Sequence, residues 1–203
     1  MNESATTLLG VDTRIWQAIV AGMVVAAGWL VNGWQNRRER RAERAEKLRD
    51  AHRALYAEIA AYLSQLVSRE ELHRYGDTLT QRMEADDTFV PFIPRERADR
   101  VFASLLGEIH ILPRVTIDPV VTYYAYLHAI EALAEDMRAE RYRALLQARR
   151  IAIYQDYVSM KALALDYGNY CLAVIAAYAR DGKSTAEAED KRLSSRALAP
   201  SDR

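Results

Sequence analysis

The chain has 203 residues, and its 28 lysine and arginine residues are balanced by 28 aspartate and glutamate residues, so the formal net charge at pH 7 is zero. This balance argues against a general nucleic-acid-binding protein, because such proteins carry a strongly basic domain. The sole cysteine, Cys171, excludes an intramolecular disulfide and agrees with a reducing cytoplasmic environment.

The N-terminal part of the chain contains one long uncharged segment. Residues 15–34 hold no charged side chain and are mostly apolar. A helix of this length rises about 30 Å, which matches the hydrocarbon core of a bilayer. Trp16 and Trp34 stand at its two ends, where aromatic side chains commonly lie at the membrane interface. The pattern predicts a transmembrane helix over 15–34, preceded by a short extracytoplasmic N-terminus, 1–14.

Two other interpretations of this segment are open. A cleaved signal peptide would place basic residues before the apolar run, whereas here the basic sequence RRERRAER follows it. A buried helix of a soluble core is the second interpretation. A helix that is apolar on all sides and ends in an arginine cluster fits a bilayer better than either.

Basic residues beside the predicted span indicate its orientation. Residues 37–50 carry seven basic and four acidic side chains. Under the positive-inside rule the C-terminal side is cytoplasmic and the N-terminus lies outside the cell inner membrane. The cluster is either a topology determinant alone or also a contact for anionic lipid headgroups, which the interspersed glutamates would weaken. The predicted membrane-interface residues are Trp16, Trp34, Arg37, Arg38, Arg40 and Arg41.

Small residues line one side of the predicted span. Ala18, Gly22 and Ala26 recur at a spacing of four, which places them on one helix face. Small residues on one face let transmembrane helices approach closely and self-associate. The sequence therefore raises the hypothesis of a homo-oligomer held through these three residues.

The segment after Trp34 predicts a helix that leaves the membrane without a break. Residues 35–66 contain neither glycine nor proline and are rich in residues that favour helix. Residues 35–47 are polar on all sides and predict a basic juxtamembrane stalk. From Leu48 onwards one face becomes apolar, which marks the start of a cytoplasmic domain, 48–182. The predicted core positions on this face are Leu48, Leu55, Ile59, Tyr62 and Leu66.

Three further long helices are predicted within this domain. Gly76 is expected to interrupt the helical pattern, with a short helix over 77–85 behind it. Residues 86–94 contain two prolines and predict an apolar loop, which either covers the core or docks a partner. Long helices are predicted over 95–112, 118–139 and 142–180, the second of them with Asp118 as N-cap and Pro119 at the first helical position.

Together these elements predict an all-α protein, with one N-terminal transmembrane helix continuous with a cytoplasmic antiparallel bundle of about four helices. The first and last long helices form the main pair. Gly182 ends the last helix, and the polar tail 183–203 is predicted to be disordered. The predicted buried stripe of the last helix is Leu146, Ile153, Tyr157, Met160, Ala164, Tyr167, Cys171, Val174 and Tyr178.

The sequence carries no recognisable catalytic, cofactor-binding or metal-binding motif. Glu70 and His73 share a helix face, yet a di-iron centre would need a second such pair and two further glutamates. Cys171 lies on an apolar stripe, where a cysteine is inert packing. We therefore predict no enzyme activity, no cofactor and no metal site.

The sequence favours a non-enzymatic interaction or scaffold module anchored at the cytoplasmic face of the membrane. The expected partners are the lipid bilayer, a second copy of the chain and an unidentified protein, and neither nucleic acid nor a small-molecule substrate is indicated. The alternative is a small membrane-active protein, holin-like or toxin-like, from a phage or mobile element, because one span with a basic flank allows it. An enzyme without a recognisable motif is a third hypothesis.

Overall fold

The computed structural model describes residues 13–66, 68–96 and 98–197, with the side chains at 13–16, 19, 196 and 197 outside the description. Within those ranges all regular structure is helical and no strand occurs. A short 3-10 helix, Leu106–Ile111, follows α3. The α-helices in chain order are α1 (Thr13–Leu66), α2 (Arg69–Ala85), α3 (Arg100–Leu105), α4 (Arg114–Arg138), α5 (Glu140–Arg143), α6 (Gln147–Asp181) and α7 (Lys183–Ala197).

The chain divides into two compact units, residues 1–47 and 48–203. What the structure describes of the first unit is the N-terminal stretch of α1. The second unit holds the rest of α1, all later helices and the hydrophobic core. α1 runs without interruption from Thr13 to Leu66, as expected for a segment free of proline and rich in helix-forming residues.

The core of the second unit is built on α6, which packs against α2, α4 and α7. The apolar stripe predicted for α1 from Leu48 to Leu66 is confirmed, because Leu55 and Ile59 are fully buried and Tyr62 and Leu66 nearly so. Leu48 packs against the same core while partly exposed. The largest fully buried side chains are Tyr123, Tyr124, Leu55, Ile59, Met83, Ile175, Val120, Val174, Thr116 and Cys171.

Two glycines lie where neighbouring helices leave no room for a Cβ atom. A Cβ atom on Gly76 would lie 2.9 Å from Cγ1 of Val158, and one on Gly168 would lie 2.6 Å from Cδ2 of Leu63. The predicted interruption at Gly76 is wrong, since α2 passes through this residue from Arg69 to Ala85. Glycine is needed there for close packing of α2 on α6, and that packing outweighs its low helix propensity.

The apolar loop between α2 and α3 covers the core and also exposes one aromatic ring. Phe89 and Val90 pack against the core and Ile93 is only 4% exposed, whereas Phe92 is 89% exposed. The guanidinium of Arg82 lies 4.2 Å from the centre of the Phe89 ring, a cation–π contact that holds the loop on α2.

The helix predicted over 95–112 begins later and is shorter than expected. α3 starts at Arg100, where the Glu58 carboxylate accepts hydrogen bonds from the backbone N–H groups of Val101 (2.6 Å) and Phe102 (3.1 Å). The N-cap residue Asp99 makes no side-chain capping hydrogen bond, so a carboxylate from another helix supplies the N-terminal cap. This capping group lies far away in the sequence.

The next helices also begin at other positions than predicted. α4 starts at Arg114 rather than at Asp118, so Pro119 lies inside the helix. The helix predicted over 142–180 is split into α5 and α6, and Leu146 precedes α6 with 83% of its surface exposed instead of packing in the core. The predicted C-terminal signal is confirmed, because Gly182 follows α6 with φ +82°, a conformation that favours glycine.

The prediction that the tail 183–203 is disordered is wrong for most of its length. Residues Lys183–Ala197 form α7, and residues 198–203 lie outside the described part of the chain. Ala186 is fully buried against Val174 and Ala177 of α6. Tyr170 adds a hydrogen bond from its hydroxyl to the Asp190 carboxylate. The composition of this segment is typical of a disordered chain, because it contains few large apolar side chains that could anchor a helix.

Replacing Gly168 by Val tests the close packing of α1, α4 and α6. The new side chain would collide with Leu63 and with Tyr123, whose Cε2 lies 3.0 Å from the Cβ position. We expect Gly168→Val to lower the free energy of unfolding by about 1–3 kcal/mol, measured by denaturant titration. The matched control is Gly107→Val, where nothing lies within 4 Å of the Cβ position. An equal loss in both variants would show that the packing is not responsible.

Candidate functional site

The most unusual surface of the described chain is the apolar stretch of α1. Apart from Gly33, every residue from Val20 to Trp34 is exposed. At about 100° per residue these side chains point in all directions around the helix. The large apolar ones are Val20 (50% exposed), Met23 (57%), Val24 (67%), Val25 (61%), Trp29 (81%), Leu30 (70%), Val31 (55%) and Trp34 (63%).

By length and hydropathy, one helix of the described residues could cross a membrane, and it is α6 in the C-terminal half of the chain. Its most apolar window has a mean hydropathy of 1.2, and 44% of that window is buried. α6 packs against three other helices of the second unit, so a core helix explains the same features. Three residues of the segment predicted to span, Ile15, Trp16 and Ile19, have side chains outside the described set.

The arginines that follow the apolar stretch lie close to its last residues. Nε of Arg37 donates a hydrogen bond to the carbonyl of Gly33 at 2.9 Å. The guanidinium of Arg38 lies 5.8 Å from the centre of the Trp34 ring, a cation–π contact. Arg40 and Arg41 are exposed on the next turn. Of the predicted interface residues, only Trp16 falls outside the described side chains.

The small residues predicted to allow self-association stand on the exposed surface of the same helix. Ala18 and Ala26 are exposed, and nothing lies within 4 Å of a Cβ built on Gly22. A second helix could therefore approach this face closely. The structure of a single chain does not test the association, which stays a prediction.

In the second unit, Glu58 is the most highly bonded carboxylate. Besides the two N–H groups of α3, it accepts a hydrogen bond from the Tyr124 hydroxyl at 2.6 Å. Burial and this carboxylate raise the pKa of Tyr124 well above its usual value. The charge of Glu58 is satisfied by three donors, so its role is to join α1, α3 and α4.

A second polar cluster joins the loop before α3 to α1 and α6. Nζ of Lys161 lies 2.6 Å from Oε1 of Glu96, and the Tyr62 hydroxyl donates to Oε2 of Glu96 at 2.9 Å. Lys161 is only 8% exposed and also lies 5.2 Å from the centre of the Tyr157 ring. Burial and Glu96 raise the pKa of Tyr62. Both charged groups, Lys161 and Glu96, are therefore bonded to partners inside the fold.

The cleft beside this cluster is too small for an organic substrate. Its volume is about 30 Å³, close to the space that one water molecule takes in the liquid, whereas small-molecule pockets measure roughly 300–1,000 Å³. His128 and Asp99 line the cleft, and Nε2 of His128 lies 3.2 Å from Oδ2 of Asp99. Arg138 also lines it and donates a hydrogen bond to the Pro94 carbonyl at 3.0 Å.

Cys171 lies on α6, and the Glu70–His73 pair lies on α2. Burial raises the pKa of the Cys171 thiol to about 12, so the reactive thiolate is scarce at neutral pH. Among the described residues, no three His, Cys, Asp or Glu side chains gather in a way that could hold a metal ion.

His52 is buried at the contact of α1 with α4 and α6. Only 4% of it is exposed, and its Nε2 lies 3.0 Å from Oγ1 of Thr116. The Thr116 hydroxyl donates to the Pro113 carbonyl at 3.1 Å, which leaves His52 as the donor of the other bond. The Tyr178 ring packs edge-on at 5.1 Å. Burial lowers the pKa of His52 to about 4, so the ring is neutral at pH 7.

Sequence analysis missed these interior polar residues, although a signal for them exists. Glu58 lies three residues after Leu55 and four residues before Tyr62. Lys161 lies four residues after Tyr157 and three residues before Ala164. Both charged residues thus occupy positions on an apolar helix face. A charged residue at such a position predicts a buried, paired group, although the partner cannot be named from spacing.

No family model, no curated protein and no solved structure matches this chain. The features that bear on function are the exposed apolar and basic surface of α1 and the bonding of the polar groups inside the second unit.

The His52 site predicts a loss of stability in mild acid. The unfolded chain takes up a proton near pH 6.5, whereas the folded chain does so only near pH 4, so protons favour unfolding between these values. We expect the free energy of unfolding to be highest above pH 6.5 and to fall by at most about 3 kcal/mol by pH 4. Denaturant titrations across this range measure the slope.

The matched variants for this test are His52→Gln and His110→Gln. His110 is exposed, so its replacement should keep the wild-type slope, whereas His52→Gln should reduce it. An unchanged slope in His52→Gln would assign the acid sensitivity to other groups.

Proposed function

We propose that this chain is a single-pass membrane protein that acts as a non-enzymatic interaction or scaffold module at the cytoplasmic face of the cell inner membrane. The observation that carries the anchor is the uncharged apolar surface that surrounds α1 from Val20 to Trp34. Soluble monomers seldom expose a contiguous apolar patch larger than a few hundred Å². In a bilayer the same surface is stabilising, because each central Val or Leu favours insertion by about 0.3–0.6 kcal/mol.

The orientation follows from the charges that flank this surface. The seven basic residues of 37–50 are on its C-terminal side, which the positive-inside rule assigns to the cytoplasm. The second unit, with its single cysteine, is then cytoplasmic, and the N-terminus is outside. In this proposal the later part of α1 forms an antiparallel helical bundle with α2, α4 and α6.

A non-enzymatic role is supported by the bonding of the interior polar groups. Glu58, Glu96 and Lys161 are each bonded to partners in neighbouring elements, as a group that holds helices together requires. The cleft beside Glu96 has room for about one water molecule. Such bonds are more typical of residues that hold helices together than of a preorganised site for a reacting molecule.

A charge placed in the apolar stretch tests the anchor. An arginine at the centre of a transmembrane helix costs about 2.5–3.5 kcal/mol, so Val25→Arg should shift the protein from the membrane to the carbonate-extractable fraction. The matched control is Val121→Arg on α4, another exposed valine on a helix, which should leave the membrane fraction unchanged. If both variants stay in the membrane to the same extent as the wild type, 15–34 is not the anchor.

A bulky residue on the small-residue face tests self-association, which is one form of the scaffold role. We expect Gly22→Leu to lower crosslinking between copies of the full chain in membranes, because the side chain separates the helices. Gly28→Leu is the control, since its Cβ position is equally open but lies about 120° away around the helix. Unchanged crosslinking in Gly22→Leu would reject this face as the contact. Rapid loss of membrane potential on expression would instead favour the membrane-active alternative.

A further inference from the structure

Three arginines and four acidic residues just after the apolar stretch lie on separate faces of α1. At about 100° per residue, Arg37, Arg38 and Arg41 fall within an arc of about 100°. Another arc, of about 60° on nearly the opposite side, holds the four acidic residues Glu39, Glu43, Glu46 and Asp50. The acidic residues alternate with the basic ones in the sequence, but on the helix surface they lie away from these three arginines. They therefore weaken the positive charge of the arginines less than the linear sequence implies.

Two of these arginines lean back towards the apolar stretch. Side chains in a helix tilt towards its N-terminus, and here Arg37 reaches the carbonyl of Gly33 while Arg38 lies over the Trp34 ring. The Arg37 side chain lies against Gly33, where a Cβ would be 3.6 Å from a terminal nitrogen of Arg37, an ordinary contact distance. The guanidinium groups are thereby held beside the last aromatic residue of the stretch.

Together with a neighbouring leucine these side chains line one open concavity, which we call the basic face: Leu30, Trp34, Arg37, Arg38 and Arg41. A guanidinium has five N–H donors, and the contact with Gly33 uses one of those on Arg37. Among the described residues, none of the three arginines makes an ion pair with a carboxylate. Donors for an anion therefore lie directly beside apolar and aromatic surface.

We propose that the basic face binds the headgroup of an anionic phospholipid. The three guanidinium groups supply charge-assisted hydrogen bonds to a phosphodiester, and Leu30 and Trp34 contact the glycerol and upper acyl chain of the same molecule. Free phosphate would use only the arginines, so the adjacent apolar surface favours a lipid. The inference rests on the proposed anchor, because it needs this stretch of α1 to lie at the membrane interface.

The experiment places the full-length protein in nanodiscs of phosphatidylcholine with a minority of phosphatidylglycerol. Native mass spectrometry then measures the ratio of the two lipids that stay bound to the protein. We expect phosphatidylglycerol to be enriched over its share of the disc. In the triple variant R37Q/R38Q/R41Q the enrichment should fall at least about fivefold, since the loss of even one basic residue near an anionic surface lowers the preference about fivefold.

The matched control, R44Q/K47Q/R49Q, removes the same number of positive charges from the following turns and should keep most of the enrichment. An equal loss in both triple variants would overturn the proposal, because it would show diffuse attraction instead of a site. Carbonate-resistant insertion of the wild type without enrichment would overturn the lipid site and leave the anchor standing. Failure of the wild type to insert would overturn both the lipid site and the proposed anchor.

Discussion

The apolar side chains between Val20 and Trp34 set the constraint on which the proposed function depends. They surround α1 and are exposed, so in water they would leave a continuous apolar surface unburied. Further along the same helix only one face is apolar, and Leu55 and Ile59 on that face are fully buried. One uninterrupted helix thus carries two hydrophobic patterns, one suited to a lipid environment and one suited to packing against other helices. The boundary between them is occupied by arginines, which are costly inside a bilayer and favourable at its surface.

The second unit is held together by polar groups as well as by its apolar core. Glu58 caps α3 and bonds Tyr124, Glu96 bonds Tyr62 and Lys161, and His52 bonds Thr116. Removing one partner of such a pair would leave a buried polar group unsatisfied, which is expensive. The same bonding pairs these carboxylates with donors from neighbouring elements. In the proposed function, these pairs hold the helices of the second unit together.

Where the sequence-based helix boundaries were wrong, a tertiary contact or an unrecognised local cap overrode the expected signal. Gly76 resembles a helix breaker in sequence, yet close packing on Val158 requires a glycine inside α2. Asp118–Pro119 resembles a helix start, yet α4 begins earlier, where the Pro113 carbonyl accepts from the backbone and hydroxyl of Thr116. The tail was expected to be disordered on composition, yet Ala186 fits into the surface of α6. In each case the deciding partner is a tertiary neighbour or a cap that pattern matching did not weigh.

The sequence by itself determined the helical class, the unbroken course of α1, its core positions from Leu55 to Leu66 and the glycine that ends α6. These features depend on helix propensity, periodicity and local turn chemistry, all of which act over a few residues. The apolar segment 15–34 and its basic flank are likewise written in the sequence, and they carry the proposed function. Only the tertiary structure decided where α3 begins, which charges are buried and with which partners, and that residues 183–197 form a helix. Those outcomes depend on groups brought together from distant parts of the chain, such as Glu58 with α3 and Lys161 with Glu96.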